Sequence, residues 1–462
     1  MLQRSSFRNL AAVSLSLAVL AGCGALPRIV PDMARSSSAP VRLEGARGPL
    51  SAAQSKAVLA RLASNGQETG IFERHLALEE EVAGTPLMVG NKVVLLQDGP
   101  DTYQAMIEAI ASARHHVHME TYIVEDDEVG RRFAAALVAK ASQGVQVRLI
   151  YDSVGSSTTP PAYFKHLADN GVTVLEFNPI NPLALRKGWE VNQRDHRKLM
   201  VIDGRVAFMG GINISSVYSA GSFSKRSKQR PDGARWRDTH LKVEGPVVAE
   251  FQKLFLATWD KQKGDALAAR EHFPVALASG REVVRAIGSS PDDAVSQVYS
   301  TLISAIGAAE TAVHLTNAYF VPDPQLLAAL KDAAARGVDV HLILPGQTDS
   351  WLVFHAGRSH YGDLLRGGVK IHERRGALLH AKTALIDGVW STVGSTNLDW
   401  RSFLHNDEVN AVVLGQEFGA QMQAVFAADL AASTPVSLEQ WEARGLNDRA
   451  RELAARLWEH WL

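Results

Sequence analysis

The chain predicts an α/β protein built from one domain duplicated head to tail. Three observations carry that prediction. Apolar, strand-like runs alternate with Ala-rich helical stretches along most of the 462 residues. Some of these runs recur in the same order: GVQVRLIYD at Gly144 returns as GVDVHLILP at Gly337, and GVTVLEF at Gly171 as GVKIHER at Gly368, at offsets of 193 and 197. The pattern His-x-Lys-x-x-x-x-Asp also occurs twice, as His196, Lys198, Asp203 and as His380, Lys382, Asp387, with the histidines 184 apart. Constant order with changing loop lengths marks a duplication.

Taken in order, Lys92 to Gln97 reads as a strand, Thr102 to Arg114 as a helix and HHVHMETYIV as a buried strand. Arg131 to Ser142 is Ala-rich and helical, and VQVRLIYD is again a strand. The runs Leu-Met-Val-Ile and Thr-Ala-Leu-Ile inside the repeated pattern suit buried strands. The break between the two copies falls near Ala268–Arg281. From about Ser437 the chain predicts an amphipathic helix, with a stripe at Ala450, Leu453, Ala454, Leu457, Trp458 and Trp461. Packing of that stripe onto the body is the expectation, although its Trp residues also suit a bilayer surface.

The repeated pattern is where the chemistry lies. Residues two apart on a strand share a face, so His196 projects with Lys198 and His380 with Lys382. An imidazole beside an ammonium is a poor structural pair unless an anion sits between them. Each copy continues into a small turn, Gly210-Gly211 or Gly394-Ser395, that lets backbone approach closely. An Asn follows ten residues after the Asp, Asn213 or Asn397, whose amide can donate to a phosphoryl oxygen. Two such half-sites around one phosphorus suit a two-step phosphodiester exchange. One neutral His attacks and forms a phosphohistidine. The other protonates the leaving alcohol and then serves as base for the incoming one. Lysines and asparagines stabilise the equatorial oxygens. This scheme calls for no metal and no cofactor. His115, His116 and His118 place two imidazoles on one strand face, and they are expected to be packed or hydrogen-bonded rather than ligating.

Hydrophobic residues make up 46% and charged residues 21% of the chain, with a net charge of −1. That is ordinary globular composition with length for two cores. The neutral balance argues against a broad nucleic-acid surface. A local basic stretch, Lys225, Arg226, Lys228, Arg230, Arg235 and Arg237, reads as a solvated loop or as an attractor of anionic headgroups, with Arg374 and Arg375 adding charge before His380.

HRKLMVID and HAKTALID, with GGIN and GSTN after them, resemble the paired HKD motifs of the phospholipase D superfamily, and the chain from about Asn91 to Leu430 is similar to bacterial cardiolipin synthases. The resemblance implies two similar domains, each a mixed sheet flanked by helices, with the active site at their pseudo-two-fold interface. It implies His196 as nucleophile and His380 as general acid/base, with the two roles exchangeable. It also implies a downstream carboxylate orienting each His, for which Asp238 is the candidate partner of His196 and Glu408 that of His380. Asp203 and Asp387 close the motifs and are expected to be structural. Asp195, where the family often has Asn, is expected to bear on the His196 pKa.

The N-terminus is similar to a bacterial lipoprotein signal. Arg4 and Arg8 precede an apolar stretch from Leu10 to Ala21, too short to span a bilayer, which ends in Leu20-Ala21-Gly22-Cys23 with the chain's single cysteine. Lipidation of Cys23 on the periplasmic side of the envelope is the expectation, with Gly24 pointing toward the outer membrane. The expected organisation is signal 1–22, tether 23–75, first domain 76–270, second domain 271–434 and C-terminal helix 435–462. The expected activity is phosphatidyl transfer forming cardiolipin from phosphatidylglycerol and a second phospholipid. A hydrolytic phospholipase D or phosphodiesterase uses the same residues, and a non-catalytic lipoprotein scaffold is the alternative from another class. Phospholipids and the membrane surface are the expected partners; nucleic acid is not.

Overall fold

The structure is a computed structural model, described here for residues 41–63, 75–76, 79, 84–180, 190, 192–219, 236–267 and 272–462. The signal segment, Cys23 and the basic residues from Lys225 to Arg235 lie outside the described residues.

Fifteen strands build the two halves of the sheet. The first set is β1 (Leu87–Gln97), β2 (His116–Thr121), β3 (Gln146–Asp152), β4 (Thr173–Phe177), β5 (Lys198–Ile202), β6 (Val206–Gly210) and β7 (Thr239–Glu244). The second is β8 (Glu282–Ser289), β9 (Ala312–Asn317), β10 (Asp339–Pro345), β11 (Lys370–Arg374), β12 (Lys382–Ile386), β13 (Trp390–Gly394) and β14 (Asn406–Leu414), with β15 (Ser433–Val436) added at the edge. The first set runs in the order β4-β3-β2-β5-β6-β7-β1. The second repeats it as β11-β10-β9-β12-β13-β14-β8. In each set the outer three strands are parallel and the rest antiparallel, which is the mixed sheet expected. β1 and β8 pair antiparallel, so the halves fuse edge to edge into one sheet. The duplication thus becomes a pseudo-two-fold, with matching strands at matching positions.

Helices cover the sheet. In the first half these are α1 (Asp98–Ser112), α2 (Glu128–Ala141), α3 (Pro161–Asp169) and α4 (Val248–Lys261). In the second they are α5 (Gln297–Ala308), α6 (Pro324–Ala335), α7 (Trp351–Arg358), α8 (Tyr361–Arg366), α9 (Trp400–Leu404) and α10 (Gln416–Ala431), followed by α11 (Leu446–Arg456). Helix α2 starts where Asp127 accepts from the Gly130 amide, three residues before the expected start. Helices lie on both faces, so central strands such as β5 (KLMVI) are buried throughout and carry no polar alternation. One core packs α1–α3 against Val117, Met200 and Phe208. Another runs across both halves, joining Leu199, Val201 and Met209 to Leu385, Val393 and Ala411.

Two expectations need correction. Part of the expected tether 23–75 is ordered: Leu43–Gly45 pairs with β1, and Ala52–Ala63 is helical, because Leu43 and Leu62 find buried positions. The C-terminal stripe does not pack onto the body. Helix α11 buries Glu452 and Ala455 instead, and Leu453, Leu457, Trp458 and Trp461 are exposed. No helix among the described residues is long and apolar enough to cross a membrane.

Candidate active site

Each half-site is assembled at the start of a central strand. β5 and β12 begin at Lys198 and Lys382, so His196 and His380 sit two residues ahead of the strands rather than within them. A two-residue strand precedes each His. Arg194–Asp195 pairs in parallel with Asn406–Asp407 of the other half, and Leu378–Leu379 pairs in parallel with Trp236–Arg237. The next residue in each pairing is therefore a His beside a carboxylate of the opposite half. The His196 amide donates to Asp407 O (2.9 Å) and the His380 amide to Arg237 O (2.8 Å).

This crossing reverses the expected carboxylate assignment. Glu408 orients His196, with its Oε1 and Oε2 at 3.0 and 3.1 Å from Nδ1. Asp238 orients His380, with Oδ2 at 2.7 Å from Nδ1. Sequence order had placed each carboxylate in the same half as its His, but the parallel mini-strands exchange them. In both pairs Nδ1 is taken by the carboxylate, which leaves Nε2 as the reactive nitrogen.

The turn glycines explain a difference between the pairs. A Cβ on Gly211 would lie 2.1 Å from Asp238 Oδ1, so only glycine lets the shorter Asp reach its position. In the second half Ser395 stands there instead, and its hydroxyl donates to Glu408 Oε2. The longer Glu leaves room for that hydroxyl.

The lysines are buried beside the histidines. Lys198 Nζ donates to His196 O (2.7 Å) and Lys382 Nζ to His380 O. Burial lowers Lys198 to about 7, opposed by Glu408, and lowers Lys382 to about 8, opposed by Asp238. Both lysines disfavour protonation of both histidines, and Lys382 disfavours that of Lys198, so the two half-sites act on one electrostatic volume. Burial lowers His196 to about 4 despite Glu408, and lowers His380 despite Asp238. Glu408 and Asp238 are both held low: burial raises them, and the facing His and lysines outweigh it. Two ammonium groups and two neutral imidazoles in a buried space form a receptor for a tetrahedral anion.

Asn213 and Asn397 are buried. Asn213 Nδ2 donates to Tyr218 Oη (3.0 Å), which lies 3.3 Å from His380 Nδ1, and this links the first-half Asn to the second-half His. Asn397 Oδ1 has no hydrogen-bond partner among the described residues. Asp203 and Asp387 occur at φ of 52° and 50°, each followed by a glycine at positive φ, and turn the chain between β5 and β6 and between β12 and β13. Their carboxylates accept from the amides of Arg114, His115 and His116 and of Glu310, Thr311 and Ala312. They tie the motif strands to β2 and β9 and do not point into the site.

Sequence reasoning missed the aromatic lining. Tyr122 meets His196 edge-on at 5.0 Å and stands 5.1 Å from Lys198 Nζ. Trp236 (5.1 Å), Tyr218 (5.7 Å) and Tyr319 (6.2 Å) surround His380. Tyr122 and Tyr319 follow the corresponding strands β2 and β9, in METYIVED and LTNAYFVPD, but one register position apart: Tyr319 stands where the first half has Ile123, so an internal alignment would have pointed to these segments and not to the residues. Asp195 turns away from His196. Its carboxyl, raised well above the ordinary value by burial and by Glu120, accepts from the Arg197 amide (3.1 Å). Arg237 and Arg374 do not belong to a solvated basic loop: both are buried against Asp429, at 2.9 and 3.3 Å.

His116 and His118 do share a face, and His272 joins them, with one nitrogen from each ring all within 4.8 Å. That donor set is chemically able to hold a divalent metal. The space is already bridged by the Gln252 amide, at 3.1 Å from His116 and 2.8 Å from His118, and the Arg148 guanidinium lies 3.3 Å from the other His118 nitrogen. A cation there would have to displace Gln252 and sit beside Arg148.

Comparison with known proteins agrees with this geometry. The family model described as cardiolipin synthase, PLD-like domain, matches residues 106–221 and 302–430. The cardiolipin synthases of Geobacillus sp. (strain WCH70) and Halalkalibacterium halodurans are 35% and 34% identical, over 83% and 82% of this chain and 74% of their own lengths. Among solved structures, a phosphatidylserine synthase from Haemophilus influenzae superposes with a TM-score of 0.63 at 13% identity, covering 83% of this chain and 99% of that one. A polyphosphate kinase from Porphyromonas gingivalis superposes at 0.52 and 12% identity, covering 86% of this chain and 56% of that one. At such identities these structures speak for the fold. The family match and the sequence relatives go further: this chain belongs to the cardiolipin synthase family of phospholipase D-like enzymes.

Proposed function

We propose that this enzyme moves a phosphatidyl group from a phosphatidylglycerol-like donor to the hydroxyl of a second phospholipid, forming cardiolipin through a phosphohistidine. The observation that carries the reading is the crossed pair His196–Glu408 and His380–Asp238, with a buried lysine beside each. His196, held neutral, attacks phosphorus through Nε2 as the bond to the leaving glycerol oxygen breaks. The phosphodiester anion favours the protonated form of His380, which donates its Nε2 proton to that oxygen. The acceptor hydroxyl then gives its proton to His380 and attacks phosphorus, and the P–N bond to His196 breaks. Lys198, Lys382 and the amides of Asn213 and Asn397 serve the equatorial oxygens. The protein is placed at the bacterial envelope, on the periplasmic side, through acylated Cys23; the support is the Leu20-Ala21-Gly22-Cys23 sequence.

The test is to incubate the purified protein with labelled phosphatidylglycerol in mixed micelles beside His196→Ala and His380→Ala. Cardiolipin formed by the wild type and lost in both variants is the expected result. Phosphatidic acid alone would mean that water is the acceptor, and no lipid turnover would overturn the reading. Labelled palmitate incorporated into the wild type but not into Cys23→Ser checks the anchor.

A further inference from the structure

Helix α11 is mounted the wrong way round for a helix meant to complete a core. Leu446, Ala450, Leu453 and Leu457 follow at spacings of four, three and four, which puts them on one face. That face points outward: Leu446, Leu453 and Leu457 are 81, 66 and 78% exposed. The side turned inward carries Glu452 and Ala455, both buried. Trp458 and Trp461, in the turn that follows, are 57 and 59% exposed. Trp351, on helix α7 against which α11 packs, is 52% exposed. These six side chains are most of the exposed large hydrophobics among the described residues, and a contiguous patch of this kind marks an interaction site.

The orientation is fixed by directed contacts. Arg444 pairs with Glu452 at 2.7 Å and lies over Trp441 at 4.2 Å. His360 meets Glu459 at 3.0 Å, His460 packs on Trp400 at 4.5 Å, and the Leu462 carbonyl accepts from the Arg401 amide at 2.7 Å. The inner side of the segment is therefore polar and specific, and the apolar side is held out.

What that face borders identifies its occupant. Arg401 also holds Asn192, four residues before His196, through two hydrogen bonds of 2.9 and 3.1 Å. Trp351 follows Asp349, which accepts from Tyr319 Oη at 2.7 Å, and Tyr319 lines His380. The patch thus joins the approaches to both histidines. Arg449, which donates to Glu442 O, and Arg456, 3.8 Å from Glu459 and half exposed, lie together on one flank of the leucine stripe, where guanidinium groups can also meet anionic headgroups while the leucines enter the acyl region. Tryptophans at the end of such a helix suit the same depth.

We propose that α11 and its terminal turn, with Trp351, form a docking surface for an anionic phospholipid bilayer, which holds the entrance of the active site against the membrane that supplies its substrate. The proposal rests on the phospholipid reading of the site and adds a surface by which substrate reaches it, separate from any acyl anchor at Cys23.

The experiment uses the full chain carrying Cys23→Ser, so that acylation does not contribute, and compares it with the same chain carrying Leu453→Glu and Leu457→Glu. Flotation with phosphatidylglycerol vesicles should fall at least tenfold in the substituted chain. Turnover of a short-chain, monomeric phosphatidylglycerol should be unchanged, which shows that fold and site are intact. Brominated-lipid quenching should fall when Trp458 and Trp461 are replaced by Phe, substitutions that keep aromatic bulk, and be lost when Trp351→Phe is added. Equal flotation of the two chains overturns the proposal. So does a dimer in solution that the Glu substitutions dissociate, since the face would then belong to a second copy, and so does Trp458 shielded from vesicles by the chain's own N-terminal residues. Vesicle binding through this face without any lipid turnover would keep the docking surface and remove the catalytic reading instead.

Discussion

The first half of the duplicated sheet backs its histidine with charge, and the second backs it with hydrocarbon. Between His196 and Lys198 stands Arg197, buried and facing Glu120 at 3.5 Å and Asp407 at 3.8 Å. Between His380 and Lys382 stands Ala381, in an apolar cluster with Ile343, Leu379 and Phe426. Glu120 on β2 corresponds to Thr316 on β9, a buried uncharged residue. The carboxylates differ too: His196 has the longer Glu408 held by Ser395, and His380 has Asp238 admitted by Gly211. Duplication preserved the strand order and the crossing that trades carboxylates between halves. The layer behind each His was free to diverge, while burial, the orienting carboxylate and the two lysines set how readily each imidazole takes a proton. In the proposed mechanism, two unlike histidines around one phosphorus suit a sequence of nucleophile and acid.

The largest expected effect tests whether that difference divides the labour. His196→Ala and His380→Ala should each lower phosphatidyl transfer by about four orders of magnitude. A donor with a p-nitrophenyl leaving group needs no proton from the acid. It should restore formation of the phosphohistidine in His380→Ala, read by intact-protein mass, and not in His196→Ala. Rescue of the other variant would exchange the roles.

Next in size is the carboxylate crossing. Glu408→Gln and Asp238→Asn each leave a buried imidazole with an uncharged partner and should cost about 10³-fold. Added to His196→Ala, Glu408→Gln should cost almost nothing further, while Asp238→Asn should do so only on His380→Ala. Coupling of Asp238 to His196 would break the crossed arrangement.

Removing the charge behind the first half should be felt in stability. Arg197→Ala leaves Glu120 buried without its cation and Asp407 with Lys261 alone at 3.5 Å, and should cost roughly 3–5 kcal/mol in denaturant unfolding. Ala381→Gly at the matching position removes one methyl group and should cost about 1 kcal/mol. The turn residues give a smaller contrast in activity. Gly211→Ala pushes a methyl into Asp238 and should lower transfer about 100-fold by displacing it. Ser395→Gly removes one hydrogen bond to Glu408 and should lower it less than tenfold.

Much of this was legible in the sequence, for physical reasons. The duplication followed from two apolar runs repeated at near-constant offset, and the motif strands were recognisable because a central strand buried on both faces leaves a run such as KLMVI. The motif residues were legible because His, Lys and Asn at that spacing have little structural use. The carboxylate partners were named correctly as Asp238 and Glu408, but paired with the wrong histidines. Chain order cannot reveal a parallel two-residue pairing between residues 212 apart. His272 was invisible beside His116 and His118 because it arrives from beyond α4. The C-terminal stripe was read correctly as amphipathic and incorrectly as packed, since periodicity gives a face without its direction. That direction was set by Glu452, a charged residue whose partner Arg444 holds it inward.

The last expected effect bears on the lysines, where the halves are most alike. Burial lowers Lys198 to about 7 and Lys382 to about 8. A bound tetrahedral anion favours the charged form of both, so binding takes up protons whenever the free lysines have begun to lose theirs. Tungstate affinity should therefore be flat below pH 7 with respect to these groups, fall up to tenfold per pH unit as Lys198 deprotonates, and fall more steeply above pH 8 as Lys382 follows. Lys198→Met should remove the lower of the two breaks and Lys382→Met the upper one, read by calorimetry across the range. If both substitutions abolish the same break, the two ammonium groups titrate as one, and the halves are equal at the lysines however different they are behind the histidines.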